Sequence, residues 1–547
     1  MMMKTRKKGL LGLIAMAALA LAPMASPAYA VDNVTITVND TTTGDVYQAY
    51  QIFTGTPVGD STELSNIAWG AADPGAATKE KVVAAYNAVA DPDLSATDPV
   101  AKVAQAIGAL QGDNAIKFAT QLGQALKGVN GIPMPATGDP AKPTASVAPG
   151  YYIILQTGKN DKFTGYSSPL LKVAKAITVE PKRGEVTSEK KVWENTDTPA
   201  TPAVFTVTGD SWGDTADYET GDKVPFRLHG TISPQLNAYT KYKFQFNDTL
   251  AEGFTLNEDS IKVYIGDDKH EVTADHYTKH VDGQNLTIGW DNMLAPDAGL
   301  PDTFKAGADV YVTYTATLNA KAVIGNPGNE NKMTLTHSSN PADEGGEDTT
   351  PEDKVWVFTY EIDVTKEDSA DGTKIQNAKF KLWSAAEDGK CAVLNGENSK
   401  IESWSDSADA CTVLSSDEHG LFNVKGVDSG TYYLEETEAP TPYQKATARI
   451  QLTVTAETGV DEATSAGKIV TLTLSKAEAE HAVTVAENTD STTTGILAAT
   501  ITNTSKTLLP ETGGIGTTIF TIVGLLVMAG AAGGLVIRSR RKEQANA

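Results

Sequence analysis

Metal and thiol chemistry have little to work with in this 547-residue sequence. It holds two cysteines and seven histidines, and the histidines are scattered rather than spaced as ligands. No Cys/His cluster, phosphate-cradling loop or nucleophile–base motif occurs, so the sequence offers neither a turnover site nor a place for a cofactor or metal. Basic residues are also in deficit: 45 Lys and Arg stand against 69 Asp and Glu, a net charge of −24. That balance argues against nucleic acid and anionic membrane as partners. Hydrophobic runs are confined to the two ends.

Residues 1–30, MMMKTRKKGLLGLIAMAALALAPMASPAYA, have a basic start, an apolar stretch and a small-residue Ala28-Tyr29-Ala30. This is the layout of a secretory signal peptide, with the mature chain beginning near Val31. At the other end, Leu509-Pro510-Glu511-Thr512-Gly513 precedes an apolar run over 515–537, closed by Arg538, Arg540, Arg541 and Lys542. Those 23 residues, at about 1.5 Å each, predict a transmembrane helix across a core of about 30 Å, with the basic tail held inside. The three-part ending resembles the cell-wall sorting signal of sortase substrates. The resemblance implies cleavage between Thr512 and Gly513, with the Thr512 carbonyl kept as an acyl donor. Without both ends the chain keeps 37 basic and 68 acidic residues, or −31, which suits a solvated extracellular protein. Export also permits Cys391 and Cys411 to pair as a disulfide, closing a loop of about 20 residues worth about 3 kcal/mol.

Three domains fit between the ends. Residues 31–180 open with the alternating VTITV and end in GYYIILQ and LLKVAKAITVE. Between them lie Ala-rich stretches that predict helices near Lys79–Ala90, Val100–Leu110 and Asn114–Leu126. This predicts a mixed N-terminal domain, a β framework with helical insertions. Residues 181–353 and 354–507 are rich in short alternating segments bounded by Gly, Asp and Pro, the pattern of β-sandwiches. The expected fold is therefore mainly β, in tandem sandwich domains, with 508–547 as the sorting signal.

Six polar residues sit on the inward face of these strands. Side chains two apart share a face, so Lys366 points with Ile362 and Val364, Glu436 with Tyr432 and Leu434, and Asn503 with Ala499 and Ile501. The middle region repeats the set with Lys190, Asp248 and Asn331. Lys191 and Asn329 are the neighbours that compete. A buried lysine is costly unless paired or neutral, and two such triplets suggest chemistry. Burial favours a neutral amine beside a neutral acid. The amine can then attack the Asn amide carbon while the acid moves protons until ammonia leaves, joining Lys to Asn by an isopeptide bond. The plain alternative is a buried ion pair with an Asn hydrogen bond, or lysines that reach solvent.

Residues 420–443, GLFNVKGVDSGTYYLEETEAPTPY, resemble the E-box region of collagen-adhesin B-type domains and of Gram-positive backbone pilins, with Pro442 in place of the usual Gly. Asn377–Leu382 resembles that family's second strand, with Lys366 and Asn503 at the bonding positions and Glu436 as the catalytic acid. The segments NDTLAEGFTL and GNPGNENKMTLTHSSNP resemble the Asp and Asn strands of the A-type isopeptide domain, which implies Asp248, Asn331 and Lys190 in the same roles. The resemblance implies immunoglobulin-like sandwiches of these two types. Backbone pilins carry a polymerising lysine in a motif resembling VYPKN. The matching stretch here is Val179-Glu180-Pro181-Lys182-Arg183, so Lys182 is the expected acceptor, with Lys172 and Lys175 as substitutes.

The expectation is a wall-anchored extracellular pilus shaft subunit. Its implied partners are identical subunits, pilus-specific and housekeeping sortases, peptidoglycan, tip or other minor pilins and a host surface ligand. A monomeric adhesin or minor tip pilin is the alternative, and a role in adhesion fits either.

Overall fold

The computed structural model describes residues 32–41, 44–70, 77–158, 170–180, 185–195, 205–209, 211–396, 399–478, 482–486, 491–506 and 520–532. The expected signal peptide, Lys182 and the sorting motif Leu509–Gly513 with Thr512 lie outside them. Of the expected transmembrane segment 515–537, only 520–532 is described, and it is helical. Thirteen residues reach about 20 Å, and no described helix is long and apolar enough to cross a membrane.

The N-terminal region pairs two sheets and lays helices over one of them. The strand Val46–Pro57 shows how alternation does this: Tyr47 and Ala49 enter a core between the sheets with Ile36, Val38 and Ile154, while Tyr50 and Ile52 face the helices. The helices are Ala77–Asn87, Val100–Gly108 and Gly112–Ala125, close to their predicted places. Val103, Phe118 and Leu122 close that second core.

The middle region is a sandwich of a six-stranded and a seven-stranded sheet. The first includes Ser188–Trp193, Lys223–Thr231 and Asp309–Leu318; the second includes Phe244–Leu250, Asn329–Ser338 and Asp353–Phe358. Each fully buried Val, Leu, Ile or Phe between them contributes roughly 1.5–3 kcal/mol. The last strand stitches two cores by its period of two: Val355 and Val357 belong to the middle core, Trp356 and Phe358 to the next. It pairs with Asn329–Ser338 from Asp353 onward, so the crossover to the third region falls near Thr359, a few residues past the expected 353/354.

The third region packs a four-stranded sheet against a seven-stranded one. In the former, Tyr360–Asp368 and Ile496–Asn503 are parallel neighbours, registered from Glu361↔Ile496 to Asp368↔Asn503. Cys391 and Cys411 form a disulfide with a Cα–Cα separation of 5.5 Å, as expected.

Side-chain bonds join the three regions. Thr120 Oγ1 donates to the Ala238 carbonyl at 2.6 Å, and Lys127 pairs with Asp343 at 2.6 Å. Between the sandwiches, Tyr432 OH and Trp404 Nε1 both donate to Glu219, at 2.8 and 2.6 Å, and Lys400 Nζ donates to the Ala320 carbonyl at 2.8 Å. Gly325 and Gly495, at φ 65° and 74°, let two loops meet there; a Cβ on Gly325 would lie 2.3 Å from the Thr494 carbonyl oxygen.

Candidate functional site

The strand phase read from the sequence places all six polar residues inside. Lys190, Asp248, Asn331, Lys366, Glu436 and Asn503 are each 5% exposed or less, among the apolar neighbours whose phase they share. They gather into two separate sites.

In the middle sandwich the four components face each other across the sheets. Lys190, on Ser188–Trp193, and Tyr314, on Asp309–Leu318, come from one sheet; Asp248 and Asn331 come from the other. Lys190 Nζ donates to Asp248 and, at 3.2 Å, to Tyr314 OH. The Tyr314 hydroxyl donates to the second Asp248 oxygen and accepts from Asn331 Nδ2 at 2.8 Å. Among the described residues Asn331 Oδ1 has no hydrogen-bond partner. Nζ also lies 5.3 Å from the Phe226 ring centroid and 5.5 Å from that of Tyr314. Burial dominates the titration: it pushes the lysine down and the carboxyl up, and their mutual attraction only partly opposes this. Both shifts favour a neutral amine beside a neutral acid.

The competing neighbours lie elsewhere. Lys191 points to the opposite face, pairing with Asp214 at 2.6 Å. Asn329 is buried but engaged with backbone: its Nδ2 donates to the Val323 and Val357 carbonyls, both at 3.1 Å, and its Oδ1 accepts from Val323 N at 2.8 Å.

The third sandwich reaches a similar grouping by another route. Lys366 and Asn503 lie on the two parallel neighbours of one sheet, and Glu436, on Gly430–Glu438, reaches them from the facing sheet. Asn503 Nδ2 donates directly to Glu436 Oε1 at 2.7 Å, and Lys366 Nζ lies 3.8 Å from the same oxygen. Ala446 N donates to Oε2 at 2.6 Å, and Nζ donates to the Ile501 carbonyl at 3.3 Å. Burial pushes the Lys366 amine down to about 8, against the pull of the Glu436 charge.

Tyr314 was missed in the sequence. Its signal was the same strand phase, since Val310, Val312, Ala316 and Leu318 share its face in DVYVTYTATL. A tyrosine in such a row reads as an apolar ring, and its hydroxyl goes unnoticed.

Around the expected linkage lysine the described residues stop at Glu180, whose carboxylate accepts two bonds from Asn39 Nδ2, at 2.8 and 2.9 Å. Ile177 and Val179 turn inward and Thr178 and Glu180 outward. Of the substitutes, the Lys172 side chain is only 5% exposed and pairs with Glu63 at 2.8 Å, while Lys175 is exposed and donates to the Asp60 carbonyl. No group of His, Cys, Asp and Glu among the described residues could hold a metal ion.

Three family models match the chain. Residues 220–341 match a Gram-positive pilin backbone subunit 2, Cna-B-like domain; residues 360–469 a prealbumin-like fold domain; and residues 501–544 an LPXTG cell wall anchor motif. The first is described as B-like, whereas the segments NDTLAEGFTL and GNPGNENKMTLTHSSNP in that region resemble the A-type. The trypsin-resistant surface T6 protein of Streptococcus pyogenes serotype M6 is 23% identical over 370 residues, 57% of this chain and 64% of that one. The solved structure of the T6 backbone pilin of the same serotype, described as modular and three-domain, covers 87% of this chain and 99% of its own at a TM-score of 0.50 and 17% identity. The major pilin subunit BcpA of Bacillus cereus covers 87% and 99% at a TM-score of 0.40 and 15% identity.

Proposed function

We propose that the chain is a wall-anchored backbone pilin of the Gram-positive kind, a structural subunit that builds a covalent shaft hardened by two internal crosslinks. In each sandwich the neutral lysine attacks the Asn amide carbon, forming Lys190–Asn331 and Lys366–Asn503. Asp248 and Glu436 move the protons, and ammonia leaves. Two buried Lys–acid–Asn sets, built on different strand arrangements, carry this reading.

Between subunits, a pilus sortase cleaves after Thr512 and passes the acyl group to Lys182 of the next copy; a housekeeping sortase attaches the finished fibre to peptidoglycan. The burial of Lys172 favours Lys182, which follows an outward-facing row, over that substitute. Intact-mass measurement of the purified protein tests the internal bonds: the expected deficit is two ammonia, and an unshifted mass removes both. An immunoblot of wall extracts tests polymerisation, with a ladder of SDS-resistant multimers expected and a single band refuting it.

A further inference from the structure

We propose that Tyr314 is a third catalytic residue of the middle sandwich, its hydroxyl carrying a proton between Asp248 and the departing amide nitrogen of Asn331. The inference rests on the crosslinking reading above and concerns how the proton crosses that site.

The two sandwiches pose the same problem with acids of different length. In the third, Glu436 touches the Asn503 amide nitrogen directly at 2.7 Å. In the middle one the acid is an aspartate, one methylene shorter, and it makes no hydrogen bond to Asn331. The Tyr314 hydroxyl fills that gap: it bonds Asp248 on one side and Asn331 Nδ2 on the other, and accepts from Lys190 Nζ at 3.2 Å. It is therefore in contact with the acid and with both nitrogens whose bonding changes. Burial, reinforced by the Asp248 charge, raises the phenol well above its usual range, so it stays neutral and keeps a proton to give.

The step balances. Nζ forms a bond to Asn331 Cγ, and the Cγ–Nδ2 bond breaks. Tyr314 gives its hydrogen to Nδ2 and takes the carboxyl hydrogen from Asp248, and Asp248 is reprotonated by the hydrogen that Nζ sheds. One amide has replaced another, one ammonia has left, and both Tyr314 and Asp248 end as they began.

The test is Tyr314→Phe in the full exported chain, followed by intact mass and by proteolytic fragments that assign each ammonia loss to a sandwich. The ring remains, stacked on Phe226 at 5.4 Å between centroids, and only the hydroxyl goes. Loss of a proton-transfer group slows a reaction by about 100-fold or more, so the Lys190–Asn331 bond should form that much more slowly. The Lys366–Asn503 bond in the same molecule should form at the wild-type pace. A middle bond formed at the wild-type pace would overturn the proposal. If wild type itself lacks that bond, the crosslinking reading fails first and Tyr314 loses its role with it, an outcome visible without the variant.

Adding Asp248→Glu to Tyr314→Phe separates relay from packing. The longer acid should reach Asn331 directly, as Glu436 reaches Asn503, and restore the bond. A folded double variant that stays unlinked would assign the hydroxyl to packing and overturn the relay.

Discussion

Replacing Glu436 with Gln keeps the shape of the third sandwich and removes the proton carrier, so Lys366 and Asn503 should stay unjoined. The bond spans 137 positions (503 minus 366). By the loop-closure expression used for disulfides, a link over that length restricts the unfolded chain by about 5 kcal/mol. Gln can keep only one of the two bonds that Glu436 accepts from Ala446 N and Asn503 Nδ2, which adds about 0.5–1.5 kcal/mol. For a domain of this size each kcal/mol moves the midpoint by about 2–4 °C, so the third sandwich should melt about 10–25 °C lower. The mechanical effect is larger. Tension enters near Tyr360 and leaves beyond Asn503, loading the parallel strands Tyr360–Asp368 and Ile496–Asn503 in shear. With the bond intact, only the few residues from Tyr360 to Lys366 can pay out, about 20 Å; without it the full loop adds about 470 Å. Single-molecule stretching should show the long event in Glu436→Gln and never in wild type. A long event in wild type, or a variant that still lacks one ammonia at Lys366–Asn503, would refute the reasoning. The middle sandwich is less completely shielded, because Asp353–Phe358 follows Asn331 outside its loop.

Three further outcomes are expected. Asp248→Ala should abolish the Lys190–Asn331 bond while the third sandwich keeps its own, read as a mass deficit of one ammonia in place of two and as protease sensitivity confined to the middle region. Lys182→Ala should leave monomers exported and wall-linked but unpolymerised on an immunoblot, since Thr512 can still be donated; multimers from this variant would redirect the acceptor role to Lys175 or Lys172. In Asn503→Ala the unlinked Lys366 titrates at about 8 in the folded state against an ordinary 10.5. Between those values the unfolded chain holds more protons, so stability should rise with pH by on the order of 3 kcal/mol. Urea melts at pH 7.5 and 10 check this against Asn503→Ala/Lys366→Met, in which that rise should vanish.

The sequence by itself determined which side chains face inward. Strand phase is local: a period of two holds wherever the backbone is extended, so Lys366 beside Ile362 and Val364 could be placed in the core without a partner in view. Between Lys190 and Lys191 the sequence left a competition, which the structure ended by burying Lys190 and turning Lys191 outward to Asp214. The three helices followed from their periodicity, and the disulfide from having only two cysteines in an exported chain. Strand phase carries no information on which strands become neighbours over more than 130 residues, because that depends on packing among all of them. Only the tertiary structure decided that Lys366 and Asn503 share one sheet while Lys190 and Asn331 face each other from two. Tertiary structure also put Asn331, but not the equally buried Asn329, within reach of the acid's network, since Asn329 spends its amide on the Val323 and Val357 backbone. The tyrosine hydroxyl between Asp248 and Asn331 depends on the spacing between two sheets, a distance set by the side chains that fill the core and by nothing within any one strand.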